Sequence, residues 1–193
     1  MKTIKVKRST KETSIELSLN INGSQQIKID TGIAFLDHMI NALAFHAGWD
    51  IEIKAEGDIE VDDHHLVEDL AMVLGDAIQQ AWRQASKTGF KRFGQSLLPM
   101  DETLILCAID LSGRPYSLTK LTFTREFTGK VSTEMWPHFF RSLSQAGQFT
   151  LHLQQMVGEN NHHIIEAAFK SLAIAFREAL SPASTQGSTK GTL

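Results

Sequence analysis

Asp62-Asp63-His64-His65-Leu66-Val67-Glu68 and Asn160-Asn161-His162-His163-Ile164-Ile165-Glu166 are two copies of one pattern, and their reading decides the fold. Each opens a helix. Asp and Asn are favourable N-caps, and the apolar residues that follow have helical spacing: Val67, Leu70, Leu74 and Ile78, then Ile165, Phe169, Leu172 and Phe176. On such helices His64 and Glu68 are i,i+4 while His163 and Glu166 are i,i+3, so either pair can converge on one point. Adjacent histidines lie about 100° apart around the axis. A His-His pair therefore predicts two different metal sites.

The repetition extends well beyond the histidines. Glu12 through Gly23 matches Glu102 through Gly113 at a constant offset of 90. His38 then faces His138 at an offset of 100, Gly48 faces Gly147 at 99, and His64-His65 face His162-His163 at 98. Markers that recur in one order with a slowly drifting offset are the signature of tandem duplication.

Outward from the doublets, Thr3–Lys7 and Ile15–Leu19 alternate as strands, and Asn22-Gly23 predicts a hairpin into a strand at 26–29. A helix carries Phe35, Leu36, Met39 and Leu43 to Gly48, a strand covers 49–54, and the first histidine helix covers about 64–86. Glycines at 89 and 94 mark 87–94 as a linker. Strands at 104–111 and 116–124, a helix at about 132–145, a strand at 149–154 and the second histidine helix at about 162–180 follow. The expected fold is α+β, a tandem duplication of a β-β-β-α-β-α half-domain with sheets packed against helices. Residues 1–90 form the first half, 91–180 the second, and 181–193 a flexible Ser/Thr/Gly-rich tail, together one functional domain.

The 193 residues, 42% hydrophobic, are enough for one sizeable core. A net charge of −3 offers no electrostatic case for nucleic acid or an acidic membrane. Cys107, the single cysteine, excludes an intrachain disulfide framework. No apolar stretch approaches the ~20 residues of a membrane span, so the expected location is cytoplasmic.

Eight histidines carry the chemistry: His38, His46, His64, His65, His138, His152, His162 and His163. Six sit at repeat-matched positions; His152 has no counterpart. Those six with Glu68 and Glu166 make eight donors, enough for two four-ligand sites. Imidazole with carboxylate suits Mn, Fe, Co, Ni or Zn, and the lack of thiolate argues against a closed structural zinc site. A cation at a helix N-terminus opposes the macrodipole, which the glutamates offset in part.

Several motifs now add to this. Thr31-Gly32-Ile33-Ala34-Phe35-Leu36-Asp37-His38-Met39, Asp62 to His65, Glu68-Asp69, Pro99-Met100-Asp101-Glu102, Asp110 to Pro115, Gly158 to His163 and Ser188-Thr189-Lys190-Gly191 resemble imidazoleglycerol-phosphate dehydratases over nearly the whole chain. The resemblance is to the stand-alone form, and it implies a lyase of histidine biosynthesis that removes water from imidazole glycerol phosphate to give imidazole acetol phosphate. It also implies two metals, most often Mn(II), and a 24-subunit homo-oligomer with active sites between subunits. One metal would take His64, Glu68, His138 and His162, the other His38, His65, His163 and Glu166. Glu12 would be the acid–base group. His46, Arg92, Arg114, Lys170, Ser188 and Lys190 would bind the phosphorylated substrate, with the tail ordering over it as a lid.

The chemistry explains why cations are needed. The proton to be lost sits on a hydroxyl-bearing carbon with no adjacent carbonyl. Cations acting as Lewis acids on the substrate's imidazole can stabilise its anion, and electron push from that ring can expel the hydroxyl. Two other functions would use the same donors: a dinuclear phosphohydrolase, whose paired metals generate hydroxide, and a non-catalytic protein whose metals join subunits.

Overall fold

Strand residues alternate between an apolar and a polar side, so each sheet needs a cover on one face only. Ile15, Leu17 and Leu19 are buried, while Ser14 and Glu16, which alternate with them, are exposed. The computed structural model describes residues 2–183. Its first half contains β1 (Ile4–Ser9), β2 (Thr13–Asn20), β3 (Ile27–Asp30), α1 (Ala34–Ala47), β4 (Asp50–Gly57) and α2 (His64–Ala85). The second contains β5 (Phe93–Met100), β6 (Thr103–Asp110), β7 (Tyr116–Lys120), β8 (Phe127–Thr128), β9 (Val131–Ser132), α3 (Met135–Gly147), β10 (Thr150–Val157) and α4 (Asn161–Ala179). The β-β-β-α-β-α plan therefore repeats, with the small β8–β9 ribbon inserted in the second copy.

The two main sheets have the same topology, β1-β2-β4-β3 and β5-β6-β10-β7. The helices lie between them. α2 packs on α3 and α1 on α4, so each helix pair joins the two halves. Close approach is built in by glycine: a Cβ on Gly75 of α2 would lie 2.7 Å from the Ala146 Cβ of α3. On Gly94 of β5 it would lie 1.9 Å from the Ala175 carbonyl oxygen of α4. The buried Trp82 indole donates to the Gly147 carbonyl at 2.8 Å, satisfying its N–H across the α2–α3 contact.

Several sequence expectations are corrected. Asn22-Gly23 does not close a hairpin, because β4 lies between β2 and β3, and β3 runs parallel to β4. The physical reason is Asp50, whose carboxylate accepts the N–H groups of Ser24 (2.7 Å) and Gln26 (2.9 Å) and draws the loop across the end of β4. The linker at 87–94 runs into β5, a full edge strand the sequence reading had not located. α3 begins at Met135, later than expected, since β9 occupies Val131–Ser132. Asp63 does not cap α2; its carboxylate accepts from the Ser132 backbone N–H (2.6 Å), and Asp62 accepts from His64 N–H (2.9 Å) instead. Asn160 does cap α4, accepting from His162 N–H at 3.0 Å.

Candidate metal centre

The crossed helix pairing brings the histidines together between halves. At the start of α1, Asp37 accepts from the Thr31 N–H (2.9 Å) and hydroxyl (2.6 Å), which fixes the turn that presents His38. His38 Nε2 lies 3.3 Å from Glu166 Oε2, and His162 Nε2 lies 3.0 Å from the same oxygen. In the other cluster His64 Nε2 is 3.5 Å from Glu68 Oε2, and His138 Nε2 is 3.1 Å from Glu68 Oε1. Within each trio the ligand atoms lie within 4.8 Å of one another. Two imidazole nitrogens and one carboxylate oxygen at that spacing fit a first-row divalent cation, whose bonds of about 2.0–2.2 Å would draw them slightly closer.

Glu166 meets His162 in the i,i+4 relation also seen for His64 and Glu68, whereas the sequence spacing paired it with His163. The trios also differ from the grouping implied by the resemblance, with His162 standing beside His38 and Glu166. His65 and His163 belong to neither trio. Their rings lie 6.2 and 6.1 Å from those of His64 and His162, turned 76° and 86°. Each is held by a carboxylate: His65 Nδ1 is 3.1 Å from both Asp58 oxygens, and His163 Nδ1 is 2.8 Å from Glu102 Oε2. These bonds raise both histidine pKa values and fix the ring orientations through Nδ1, while His163 Nε2 lies 3.7 Å from Asp101 Oδ2. The orienting carboxylates Asp58 and Glu102 were not recognised from sequence, although Glu102 is the repeat partner of Glu12.

Burial pushes the Glu166 pKa up, but Lys170 Nζ at 2.7 Å, His162 and His38 outweigh it and the net shift is down. His46, in the last turn of α1, is shifted down by burial and by the Lys170 and Arg177 charges. Glu12 is half exposed, and its carboxylate lies 3.9 Å from His65 Nδ1. Arg92 is nearly buried and grips Asp110 through Nε (2.6 Å) and Nη2 (2.9 Å). Arg114, largely exposed, lies 3.6 Å from the same carboxylate. Both arginines stand at the Asp110 end of β6, whereas Glu102 and His163 stand at its Thr103 end. Eight strand residues separate these ends by on the order of 20 Å. Within one chain the arginines and the histidine clusters are therefore apart. His152 lies on the exposed face of β10 beside Tyr116, away from the helices. Ser188 and Lys190, with the rest of the tail after Ala183, lie outside the described residues.

A model of the imidazoleglycerol-phosphate dehydratase family matches residues 31–176. The chain belongs to this family. The Lachnoclostridium phytofermentans imidazoleglycerol-phosphate dehydratase is 50% identical over 100% of this chain and 98% of its own length. That of Chlorobium chlorochromatii is 46% identical over 100% of the chain and 97% of its own. The crystal structure of the Staphylococcus aureus imidazoleglycerol-phosphate dehydratase superposes with a TM-score of 0.85 at 33% identity, covering 94% of this chain and all of that one. The activity is accordingly that of a hydro-lyase in histidine biosynthesis, converting imidazole glycerol phosphate to imidazole acetol phosphate. The family is metal-dependent, and the two trios are its candidate metal-binding groups here.

Proposed function

We propose that the dehydratase works with two Mn(II) ions per active site, one held by His64, Glu68 and His138 and the other by His38, His162 and Glu166. The observation that carries this reading is the pair of equivalent His-His-Glu trios, each with ligand atoms within 4.8 Å. When bound, the ions supply Lewis acidity to the substrate's imidazole ring. His65 and His163, oriented through Nδ1, serve through Nε2 as ligands to the ions of neighbouring copies. That assignment keeps adjacent histidines on different ions.

Glu12 moves the substrate protons. Its carboxylate is half exposed and lies 3.9 Å from His65. The matching Glu102 is committed instead: its Oε1 accepts from Asn160 N–H (2.9 Å) and its Oε2 meets His163, and its pKa is driven far down. Of the two repeat-matched glutamates, Glu12 is the one whose carboxylate is left for substrate. Lys170 and His46, beside the second trio, and Arg92 and Arg114, with Ser188 and Lys190 of the tail, bind the phosphorylated imidazole substrate. Because the arginines are remote from this chain's own trios, they serve the site of an adjoining subunit. Assembly of a homo-oligomer, a 24-mer as the resemblance implies, is supported by the outer face of the second sheet, where Phe93, Leu97, Leu106 and Met156 are exposed together. None of the described helices is long and apolar enough to cross a membrane. The reading also places the enzyme in the cytoplasm, on the ground that its reaction belongs to histidine biosynthesis.

The test is to strip the enzyme with chelator, restore Mn(II), count bound metal per chain and follow the substrate by mass spectrometry. Two ions per chain, with loss of one water only when they are present, is the expected result. Full turnover with a single ion per chain would overturn the two-metal reading, and release of inorganic phosphate would favour a phosphohydrolase.

A further inference from the structure

Glu12 sits in the tight turn between β1 and β2, where the Thr10 hydroxyl accepts the N–H groups of Glu12 (3.1 Å) and Thr13 (2.9 Å). That turn is tied to α2 by one residue. Asp69, 8% exposed and adjacent to Glu68, accepts from Arg8 Nε at 2.8 Å through one oxygen and from the Thr13 hydroxyl at 2.6 Å through the other. Arg8 precedes the turn and Thr13 follows it, so a single buried carboxylate grips both limbs. Asp58, which orients His65, adds a third tie by donating its N–H to the Glu12 carbonyl at 3.1 Å.

The second half serves as an internal control. There the positions matching Asp69 and Arg8 are Ala167 and Leu98, at offsets of 98 and 90, and Thr103 matches Thr13. The turn at Asp101-Glu102 is secured differently: Glu102 spends its own carboxylate on the backbone of Asn160 and on His163. One turn is anchored through its glutamate, the other through its flanks.

We infer that Asp69 is a positioning residue for the dehydration: by clamping Arg8 and Thr13 to α2 it fixes the Glu12 turn beside His65, next to the His64–Glu68–His138 trio, while leaving the Glu12 carboxylate half exposed. This rests on the reading of Glu12 as the acid–base group. Charge-assisted bonds of this kind are about twice as strong as neutral ones, and small misplacements of a reacting group can cost about 100-fold.

The experiment is a double-mutant cycle on the Mn(II)-loaded enzyme, with Asp69→Ala, Glu12→Gln and the pair. Asp69→Ala is expected to lower kcat by about 100-fold, with KM and bound metal unchanged. In the Glu12→Gln background it should change kcat by less than about twofold, because independent effects would multiply. Asp69→Asn, which retains an acceptor, should recover part of the loss. Multiplying losses, or a loss expressed in KM or metal content, would overturn the assignment while leaving Glu12 in place. Full activity of Glu12→Gln would remove both. Should Asp69→Ala not fold, the same cycle with Thr13→Val, which deletes one limb, gives the same reading.

Discussion

The two metal trios have the same donors and different surroundings. Each takes one histidine from α1 or α3 and a His–Glu pair from the helix of the opposite half, so duplication has produced two crossed copies of one site. Around them the copies diverge. Glu68 is 37% exposed and the residue one turn on is Met72; Glu166 is 10% exposed and one turn on is Lys170, bonded to it at 2.7 Å. The donor geometry is what the repeat preserves, whereas charge and burial distinguish a more open trio from a drier one carrying its own cation. If both trios are required, Glu68→Gln and Glu166→Gln should each lower kcat by more than about 100-fold, since even an outer partner of a ligand can cost 10–100-fold. Metal counting should show one ion lost per chain in each variant. Loss of activity in one variant alone would show that the copies have divided their roles.

Lys170→Met sharpens the same comparison by giving the second trio the residue found beside the first. The Lys170 ammonium competes with any cation for Glu166, so its removal should tighten Mn(II) binding at that trio severalfold in calorimetry. A charged hydrogen bond to the substrate phosphate, worth about 1.5–3 kcal/mol, would be lost at the same time and raise KM by about 10- to 100-fold. Tighter metal binding without a change in KM would assign Lys170 to the carboxylate alone.

The helices were legible in the sequence because their signals are local. The apolar stripe after His64 and the Asn160 cap suffice to place α2 and α4, and α1 ends at Gly48 as expected, with that glycine in the left-handed conformation (φ 77°). Strand pairing was not legible at Asn22-Gly23, because a turn signal reports nearby backbone preference while the partner of β3 is chosen by β4, held through Asp50 across the sheet. The trios were half legible. The spacing His-His-x-x-Glu permits both i,i+3 and i,i+4 convergence, and only the packing of α1 on α4 selects His162 to meet Glu166 and His38. Asp69 was visible as a letter in a motif, but its bond to Arg8 links positions 61 residues apart, beyond the reach of any local pattern.

The smallest effect concerns the crossover loops, which the two halves again secure in different ways. In the first, the Asp50 carboxylate accepts from Ser24 and Gln26; in the second, the matching Thr150 hydroxyl donates to the Arg114 carbonyl at 3.1 Å. Backbone donation from Gln26 and Ser24 holds the Asp50 pKa below its ordinary 3.8. A depressed carboxylate contributes stability that is fully present above the unfolded value and disappears as pH falls through the folded one. Asp50→Thr should therefore lower Tm by about 2 °C at pH 7, and the gap to the parent should narrow below pH 3.8 and close once the carboxyl is protonated in the folded chain. Thermal melts of both proteins at neutral and acidic pH make the comparison. A gap independent of pH would mean that the loop is held without charge, as by the Thr150 hydroxyl in the second half, and that the charge on Asp50 contributes nothing.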